Sequence, residues 1–438
     1  MPLPSLSRLP RVLQKSLAPA IQAGAFMVPG LALWLPSGYS WGAAWLLLLA
    51  LLTWPQWRHQ RVAPGTWALA AVIGGMACLF VAESGLTNGS AALDRPAKYI
   101  AALPCLFMLA WRGPGVAALW RGMAVGAWGA GGIALWQTFA QRLPRATGYT
   151  NAIQYGDLSL LLGLLCLAGL AVLWRACRHW QRAALAGGAV MGLLASLLSQ
   201  TRGGWLALAL LLPVLIALLA HHLPARAVKA WAGALLLGLA SLALAFQAPL
   251  QARLEKAAQE TLQFMETEQA DTSVGHRFAH WQLAWRMGLQ KPLWGWGTTG
   301  YEAEKQARVA RGEAPPAVLR FSHAHNEALD VFVRRGLAGV LVLLAFYAVP
   351  LAVFWPTAAR RRATPVAARP GAFVLRLAGV TLAVAYAGFG LTQVFFAHNS
   401  GNLFYLFMLA LLNGALLRQC GRQEKDAASA PEQGSATC

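Results

Sequence analysis

The sequence predicts an all-α integral membrane protein with about twelve transmembrane helices and one large helical loop outside the membrane. The chain is 57% apolar, only 12% of its 438 residues are charged, and it contains 19 tryptophans. That is more apolar surface than one soluble core can bury. Apolar runs of about 20 residues, long enough to cross about 30 Å of hydrocarbon, recur along most of the chain.

The twelve predicted spans lie within residues 1–418, which we expect to form one polytopic membrane domain. Each is a mostly apolar run bounded by charged or turn-forming residues. The spans begin near Leu17, Trp41, Thr66, Lys98, Met123, Leu158, Ala184, Trp205, Ala230, Leu337, Ala372 and Asn402. Residues 419–438 are rich in Ala, Ser, Gln and Gly, a composition that predicts a disordered cytoplasmic tail.

The distribution of Lys and Arg predicts that both termini are cytoplasmic, because cytoplasmic loops retain positive charge during insertion. With the amino terminus inside, the basic clusters at 8–15, 58–61, 175–182 and 360–362 all fall on the cytoplasmic side. The net charge of +20 is therefore spread over membrane loops rather than gathered on one soluble face. This pattern favours membrane lipids as partners and argues against nucleic acid.

Residues 248–326 form the one large insertion, between the ninth and tenth predicted spans. Its first part, LQARLEKAAQETLQFMETEQ, has helical periodicity. Long loops cross the membrane largely regardless of their charge, so its basic residues are compatible with the outer face. We predict a helical cap on that face.

Basic residues in the short outer loops are candidates for binding an anion. Arg202 lies in SQTRGGW, where a glycine pair opens the next helix, so its guanidinium and the first helical amides can converge on one anion. A helix anchor at the membrane interface is the alternative. Four further outer cations are predicted to bind substrate, with the same alternative: Arg95, Lys98, Arg142 and Arg145.

Within the large loop, GHRFAHW contains His276 and His280 one helical turn apart. That spacing suits metal ligands, but the glutamate of the zinc-protease pattern is missing, so we predict no metal site. Arg277 is the stronger functional candidate, and His276 is predicted to contact substrate beside it. The glycines of KPLWGWGTTGY are predicted to serve backbone turns.

The segment SHAHNEALDVFVRRGLAG places two histidines immediately before an apolar span. A neutral imidazole, with an ordinary pKa of about 6.5, can accept a proton from a hydroxyl. His325 is therefore the predicted general base. The alternative is that it is only a polar histidine at the membrane interface. His323 and Asn326 are predicted to contact substrate. Asp330 and Arg334 are predicted to pair at i,i+4 spacing, and the glycines at 336 and 339 are predicted to allow close helix packing.

Taken together, these motifs resemble the O-antigen ligase and polymerase superfamily of bacterial envelope membranes. The resemblance rests on TRGGW, on HRFAHW followed by KPLWGWGTTGY, and on the His325-Asn326 pair followed after nine residues by GLAG. The last arrangement is most similar to that of the O-antigen ligases, although Val340 departs from the usual motif ending. With about twelve spans and a large periplasmic loop, the resemblance covers nearly the whole chain.

The resemblance implies a C-type glycosyltransferase-like fold in the bacterial inner membrane, with an active site that faces the periplasm. It further implies inverting transfer of a glycan from undecaprenyl pyrophosphate to lipid A-core in lipopolysaccharide biosynthesis, without a metal ion or another cofactor. On this basis we expect His325 to act as the base, and Arg202 and Arg277 to neutralise the pyrophosphate leaving group.

Three alternatives stay open from the sequence. An O-antigen polymerase and a protein O-oligosaccharyltransferase would use the same donor and differ in the acceptor. A lipid-linked glycan transporter is the non-enzyme alternative. A transporter places its ionisable residues near the bilayer midplane, whereas Arg202, Arg277 and His325 are all predicted at one face, which disfavours transport.

Overall fold

A computed structural model of the chain describes residues 11–84, 90–245, 247–267 and 270–428. These residues form α-helices, short 3-10 helices and one π-helical turn, and no β-strand. The α-helices are α1 (Arg11–Leu31), α2 (Gly38–Leu52), α3 (Trp54–Trp57), α4 (Pro64–Ser84), α5 (Ser90–Trp111), α6 (Val116–Leu135), α7 (Ala152–Leu173), α8 (His179–Leu198), α9 (Gly203–Ala220), α10 (Ala225–Ala245), α11 (Gln247–Thr267), α12 (Ser273–Gln290), α13 (Gly297–Ala310), α14 (Glu327–Phe354), α15 (Ala358–Ala363), α16 (Arg369–Phe389) and α17 (Asn399–Ala428).

Each of the twelve predicted spans coincides with one of the longer helices: α1, α2, α4 to α10, α14, α16 and α17. In the described part of the chain, seven helices are long and apolar enough to cross a membrane: Pro64–Ala82, Ala152–Leu173, His179–Leu198, Gly203–Ala220, Glu327–Phe354, Val366–Phe389 and Asn399–Gly421. Two apolar helices, Ser16–Leu31 and Gly38–Leu52, are shorter. The chain is therefore an all-α integral membrane protein, as predicted, while the full number of twelve spans stays a prediction.

Helices α7, α16 and α17 form the centre of the bundle, since most of each apolar stretch is buried inside the protein. α7 packs on α6 and α8, α16 packs on α9, and α17 packs on α5. Polar side chains in this centre are paired across helices. The hydroxyl of Tyr99 donates to Oδ1 of Asn402 at 2.6 Å, and Nδ2 of Asn413 donates to Oγ1 of Thr66 at 2.9 Å. These bonds fix the register of helices that apolar packing alone would leave free to slide.

The insertion predicted at residues 248–326 contains α11, α12, α13 and a 3-10 turn at Pro316–Arg320. The helical periodicity predicted for its first part is realised in α11. The insertion has a small core of its own, which includes Leu283, Met287 and Tyr301 and is completed by Val333 of α14. It is thereby packed directly onto a membrane helix, while its side of the membrane stays a prediction.

Two glycines allow the turn after α12 to cross α14. α14 is kinked at Gly336, whose backbone has φ 62° and ψ −160°. A Cβ there would lie 2.3 Å from the carbonyl of Leu293, and a Cβ on Gly295 would lie 2.3 Å from the carbonyl carbon of Arg334. Glycine at position 336 therefore permits a positive φ and the close approach of the turn after α12. Our prediction that Gly336 allows close helix packing is wrong.

The carboxyl-terminal segment differs from the prediction of disorder after residue 418. α17 continues to Ala428, so residues 419–428 extend the last membrane helix. The rest of the predicted tail, 429–438, lies outside the described residues.

Candidate active site

His325 lies in a tightly held loop immediately before α14. Its backbone has φ 53°, a left-handed conformation that is uncommon for a residue other than glycine and is often found at functional sites. Asn326 caps α14, because its Oδ1 accepts from the amide of Leu329 while its Nδ2 donates to the carbonyl of Leu391. Both ends of the Asn326 amide thus bind backbone, and its predicted contact with substrate stays a prediction.

The imidazole of His325 is oriented by Gln393, in the loop before α17. Nδ1 of His325 lies 3.1 Å from Oε1 of Gln393, and the backbone amide of Val394 donates to the same oxygen at 3.2 Å. A backbone N–H can only donate, so Oε1 is the acceptor and Nδ1 carries the proton. Nε2 of His325 consequently holds an unshared electron pair, the form that a general base needs.

Four imidazoles form a cluster, which we call the histidine cluster: His280, His323, His325 and His398. The ring centroid of His325 lies 4.3 Å from that of His323 and 5.7 Å from that of His280, and His323 lies 5.9 Å from His398. Phe321 packs against His325 at 4.6 Å.

The histidine cluster is neutral near pH 7. Burial, and next the neighbouring His323 and Arg277, lower the pKa of His325 to about 3. Burial and Lys305 lower the pKa of His280 to about 3, and burial and His323 lower that of His398 to about 4. Burial and nearby positive charge both disfavour the protonated form of an imidazole.

Arg277 lies close to His325 of this cluster, and Arg202 lies close to Arg277. Arg202 precedes the first residue of α9, and Arg277 lies on α12. The pKa of Arg277 is lowered first by burial and then by the charge of Arg202, while Glu260 and Asp157 oppose that shift. Arg277 in turn contributes to the lowered pKa of His325. Electrostatic interaction thus links Arg202 to Arg277 and Arg277 to His325, although the three residues come from three separate segments.

Neither arginine is neutralised by an ion pair in the part of the chain that the structure describes. Two guanidinium groups that repel each other and form no ion pair among the described residues are suited to bind a polyvalent anion.

Asp157 is a buried carboxylate that sequence reasoning missed. It lies on α7 and is fully buried. Its Oδ1 would be 2.7 Å from a Cβ on Gly204, so the glycine pair after Arg202 leaves room for this carboxylate. An acidic residue inside an apolar span is the sequence signal that could have found it.

The other arginines predicted to contact substrate lie in different surroundings. Arg95 is near enough to the cluster to contribute to the lowered pKa of His323 and His398. Nε of Arg145 donates to the carbonyl of Ser199 at 2.9 Å, so Arg145 braces the turn that carries Arg202. Arg142 is exposed, and its backbone has φ 53°.

Two further candidates have structural partners. Lys98 forms an ion pair with Asp94 on its own helix. Nε2 of His276 lies 3.1 Å from an Arg320 nitrogen, and its ring packs edge-on against Phe321, beside the histidine cluster.

Gln393 and His398 are the other residues that sequence reasoning missed. A sequence signal existed for His398, because a second His-Asn pair stands before the last span, as the first stands before α14. Gln393 carries no such signal.

These features define a polytopic α-helical membrane protein in which a buried, neutral imidazole lies close to Arg277, and Arg277 close to Arg202. Among the described residues neither arginine forms an ion pair. Residues 187–344 match the O-antigen ligase family. The matched stretch contains Arg202, Arg277 and His325, so it confirms the resemblance to the O-antigen ligase and polymerase superfamily. The chain is also similar to an uncharacterized protein of Haemophilus influenzae, with 24% identity over 277 residues that cover 63% of this chain and 67% of that protein.

Proposed function

We propose that this protein is an O-antigen ligase of the bacterial inner membrane, with cytoplasmic termini and an active site that faces the periplasm. It transfers a glycan from undecaprenyl pyrophosphate to a hydroxyl of lipid A-core. The observation that carries the proposal is the hydrogen bonding that leaves Nε2 of His325 with an unshared electron pair, close to Arg277, which lies close to Arg202. In the described part of the chain neither arginine forms an ion pair. The family match over residues 187–344 supports it.

In the proposed reaction, His325 acts as general base in one displacement. Nε2 takes the proton from the acceptor hydroxyl while the hydroxyl oxygen forms a bond to the anomeric carbon of the donor. The bond from that carbon to the phosphate oxygen breaks, and undecaprenyl pyrophosphate leaves with the electron pair. Attack from the opposite side inverts the anomeric centre.

Arg202 and Arg277 stabilise the leaving group. Negative charge grows on the pyrophosphate as the bond breaks, and planar guanidinium forks match phosphate oxygens. The two cations repel each other in the free site, which is one cause of the lowered pKa of Arg277. A bound pyrophosphate relieves that repulsion, and the two arginines then supply the charge that a divalent ion would otherwise supply.

Donor binding also activates the base. Burial is the main cause of the low pKa of His325, about 3, and His323 and then the charge of Arg277 lower it further in the free site. Pyrophosphate between the arginines and His325 offsets that charge, so the pKa of His325 rises towards the range in which an imidazole is an effective base.

The direct test uses purified protein, undecaprenyl-pyrophosphate glycan and lipid A-core, with and without chelator. We expect glycosylated lipid A-core in both cases and a loss of about 100-fold or more in His325→Gln, as for removal of a general base. His221→Gln replaces an exposed histidine just after α9 and serves as the control. Unchanged turnover in His325→Gln would overturn the proposed base, and strict sensitivity to chelator would overturn the metal-free mechanism.

The acceptor decides between related enzymes in the same assay. Glycan lengthening without a lipid A-core product would identify a polymerase, and transfer to an acceptor peptide alone would identify a protein O-oligosaccharyltransferase.

The role of Arg202 has its own test. Arg202→Lys keeps the charge but loses the planar fork, so we expect a large loss of kcat. Full activity in that variant would instead assign Arg202 to helix anchoring.

A further inference from the structure

A second charged site lies at the opposite end of the bundle from the histidine cluster. α16 begins at Arg369 and ends at Phe389, four residues before Gln393. At about 1.5 Å per residue, its 21 residues separate the two ends by about 30 Å. The segment that joins α14 to α16 is therefore remote from the proposed chemistry.

This segment forms one side of a cavity of about 460 Å³. Four arginines line the cavity: Arg361, Arg362, Arg369 and Arg376. No carboxylate is among the lining residues in the part of the chain that the structure describes. An apolar wall that includes Leu223 and Phe373 completes it. We call this the arginine cavity.

Backbone contacts orient three of the four guanidinium groups. Arg361 donates to the carbonyl of His221 at 3.1 Å, Arg369 to that of Thr364 at 3.0 Å, and Arg376 to that of Val353 at 3.2 Å. A guanidinium has five N–H donors, so each keeps further donors for a ligand. The cavity is thus positively charged, its arginines are held in place, and no carboxylate from the described residues lines it.

The apolar wall is equally well formed. The ring of His222 stacks on Phe373 with centroids 3.9 Å apart, and Nδ1 of His222 lies 2.9 Å from the carbonyl of Leu218. The cavity lining therefore includes a pair of stacked rings in addition to the arginines.

We propose that the arginine cavity binds the phosphate group of an anionic phospholipid, with the lipid chains along its apolar wall. Guanidinium forks match phosphate oxygens, and clusters of arginine at a membrane surface select anionic lipid headgroups. Inorganic phosphate shares this chemistry but would leave the apolar wall unused. The site is independent of the glycan transfer proposed above.

The test measures lipid binding by the purified full-length protein in neutral detergent. Short-chain fluorescent phosphatidylglycerol is the probe, and phosphatidylcholine and inorganic phosphate are the competitors. The variant Arg361→Gln/Arg362→Gln changes two exposed side chains, so folding should be retained. The control Arg58→Gln/Arg61→Gln removes the same charge from exposed positions outside the cavity.

We expect phosphatidylglycerol to bind about 30-fold more weakly to the cavity variant, since each arginine contributes about fivefold at an anionic surface. The control should bind like the unaltered protein. Equal weakening in both variants, or equal competition by phosphatidylcholine, would overturn the proposal. Competition by inorganic phosphate at the same concentration as unlabelled phosphatidylglycerol would identify a site for soluble phosphate and overturn the assignment to lipid.

Discussion

Nδ1 of His325 lies 3.1 Å from Oε1 of Gln393, a residue 68 positions further along the chain. The bond joins the loop before α14 to the loop before α17. Because Oε1 also accepts from the amide of Val394, the orientation of the Gln393 side chain is fixed. In the proposed mechanism Gln393 is therefore a positioning residue, because its bond to Nδ1 leaves Nε2 of His325 unprotonated.

Gln393→Leu should lower kcat by about 10- to 100-fold with little change in KM, by analogy with the hydrogen-bond partners that orient metal-bound histidines. Gln393→Glu retains an acceptor for Nδ1 and should restore part of the rate. Steady-state kinetics with the lipid-linked donor provides both constants. A raised KM with normal kcat in Gln393→Leu would instead indicate a role in binding.

Apolar runs predicted the fold well, because each span is a local property of about 20 residues. Arg202, Arg277 and His325 could be singled out as candidates because each is a polar residue in an apolar or glycine-rich setting. Gln393 could not, since its importance depends on a contact made across 68 positions. The role of Gly336 was missed for the same reason, because the chain that it accommodates lies more than 40 positions away, at Leu293.

The chain crossing at Gly336 gives a stability prediction. Gly336→Ala introduces a Cβ at a positive φ and 2.3 Å from the carbonyl of Leu293, so backbone must move. We expect a loss of folded protein, or an unfolding temperature lower by several degrees, in differential scanning fluorimetry. Gly295→Ala should have a similar effect, because its Cβ would meet the backbone of Arg334.

Gly312→Ala separates the effect of a positive φ from the effect of crowding by the Leu293 backbone. Gly312 has a positive φ of 74°, but a Cβ there would meet nothing within 4 Å. Backbone strain alone costs about 1 kcal/mol or somewhat more, so this variant should be clearly more stable than Gly336→Ala. Equal losses in the two variants would show that the crowding at Leu293 is unimportant.

The predicted pairing of Asp330 with Arg334 is confirmed, with Oδ2 of Asp330 3.1 Å from Nε of Arg334. Both side chains also hold the loop before His325: Oδ1 of Asp330 accepts from the amide of Ala324, and Arg334 donates to the carbonyl of Ser322. Arg334→Met leaves a buried carboxylate without its main partner, a change that costs about 3–5 kcal/mol. We expect lower thermal stability together with reduced kcat.

An exposed ion pair provides the control for this variant. Arg311 pairs with Glu313 on the surface of the insertion, where both side chains are about half exposed. Glu313→Gln should leave stability and kcat unchanged, because exposed pairs contribute little. Comparable losses in both variants would contradict the assignment of Arg334 to the loop before His325.

The histidine cluster makes stability depend on pH. The pKa values of His280, His325 and His398 are about 3, 3 and 4 in the folded protein, and about 6.5 in the unfolded chain. Between about pH 4 and 6.5 the unfolded chain therefore binds more protons, and the free energy of unfolding falls as pH falls. Each histidine contributes up to about 1.4 kcal/mol per pH unit, a slope that unfolding temperatures measured between pH 4.5 and 7.5 will reveal.

His280→Phe tests this origin of the slope. His280 is fully buried and neither ring nitrogen has a hydrogen-bond partner in the part of the chain that the structure describes, so an apolar ring can replace it. Removing one titrating group should flatten the dependence of unfolding temperature on pH below 6.5. Leu283→Ala is the matched control, because it weakens the same small core without removing a titratable group and should lower stability equally at every pH. An unchanged slope in His280→Phe would show that the acid sensitivity arises outside the histidine cluster.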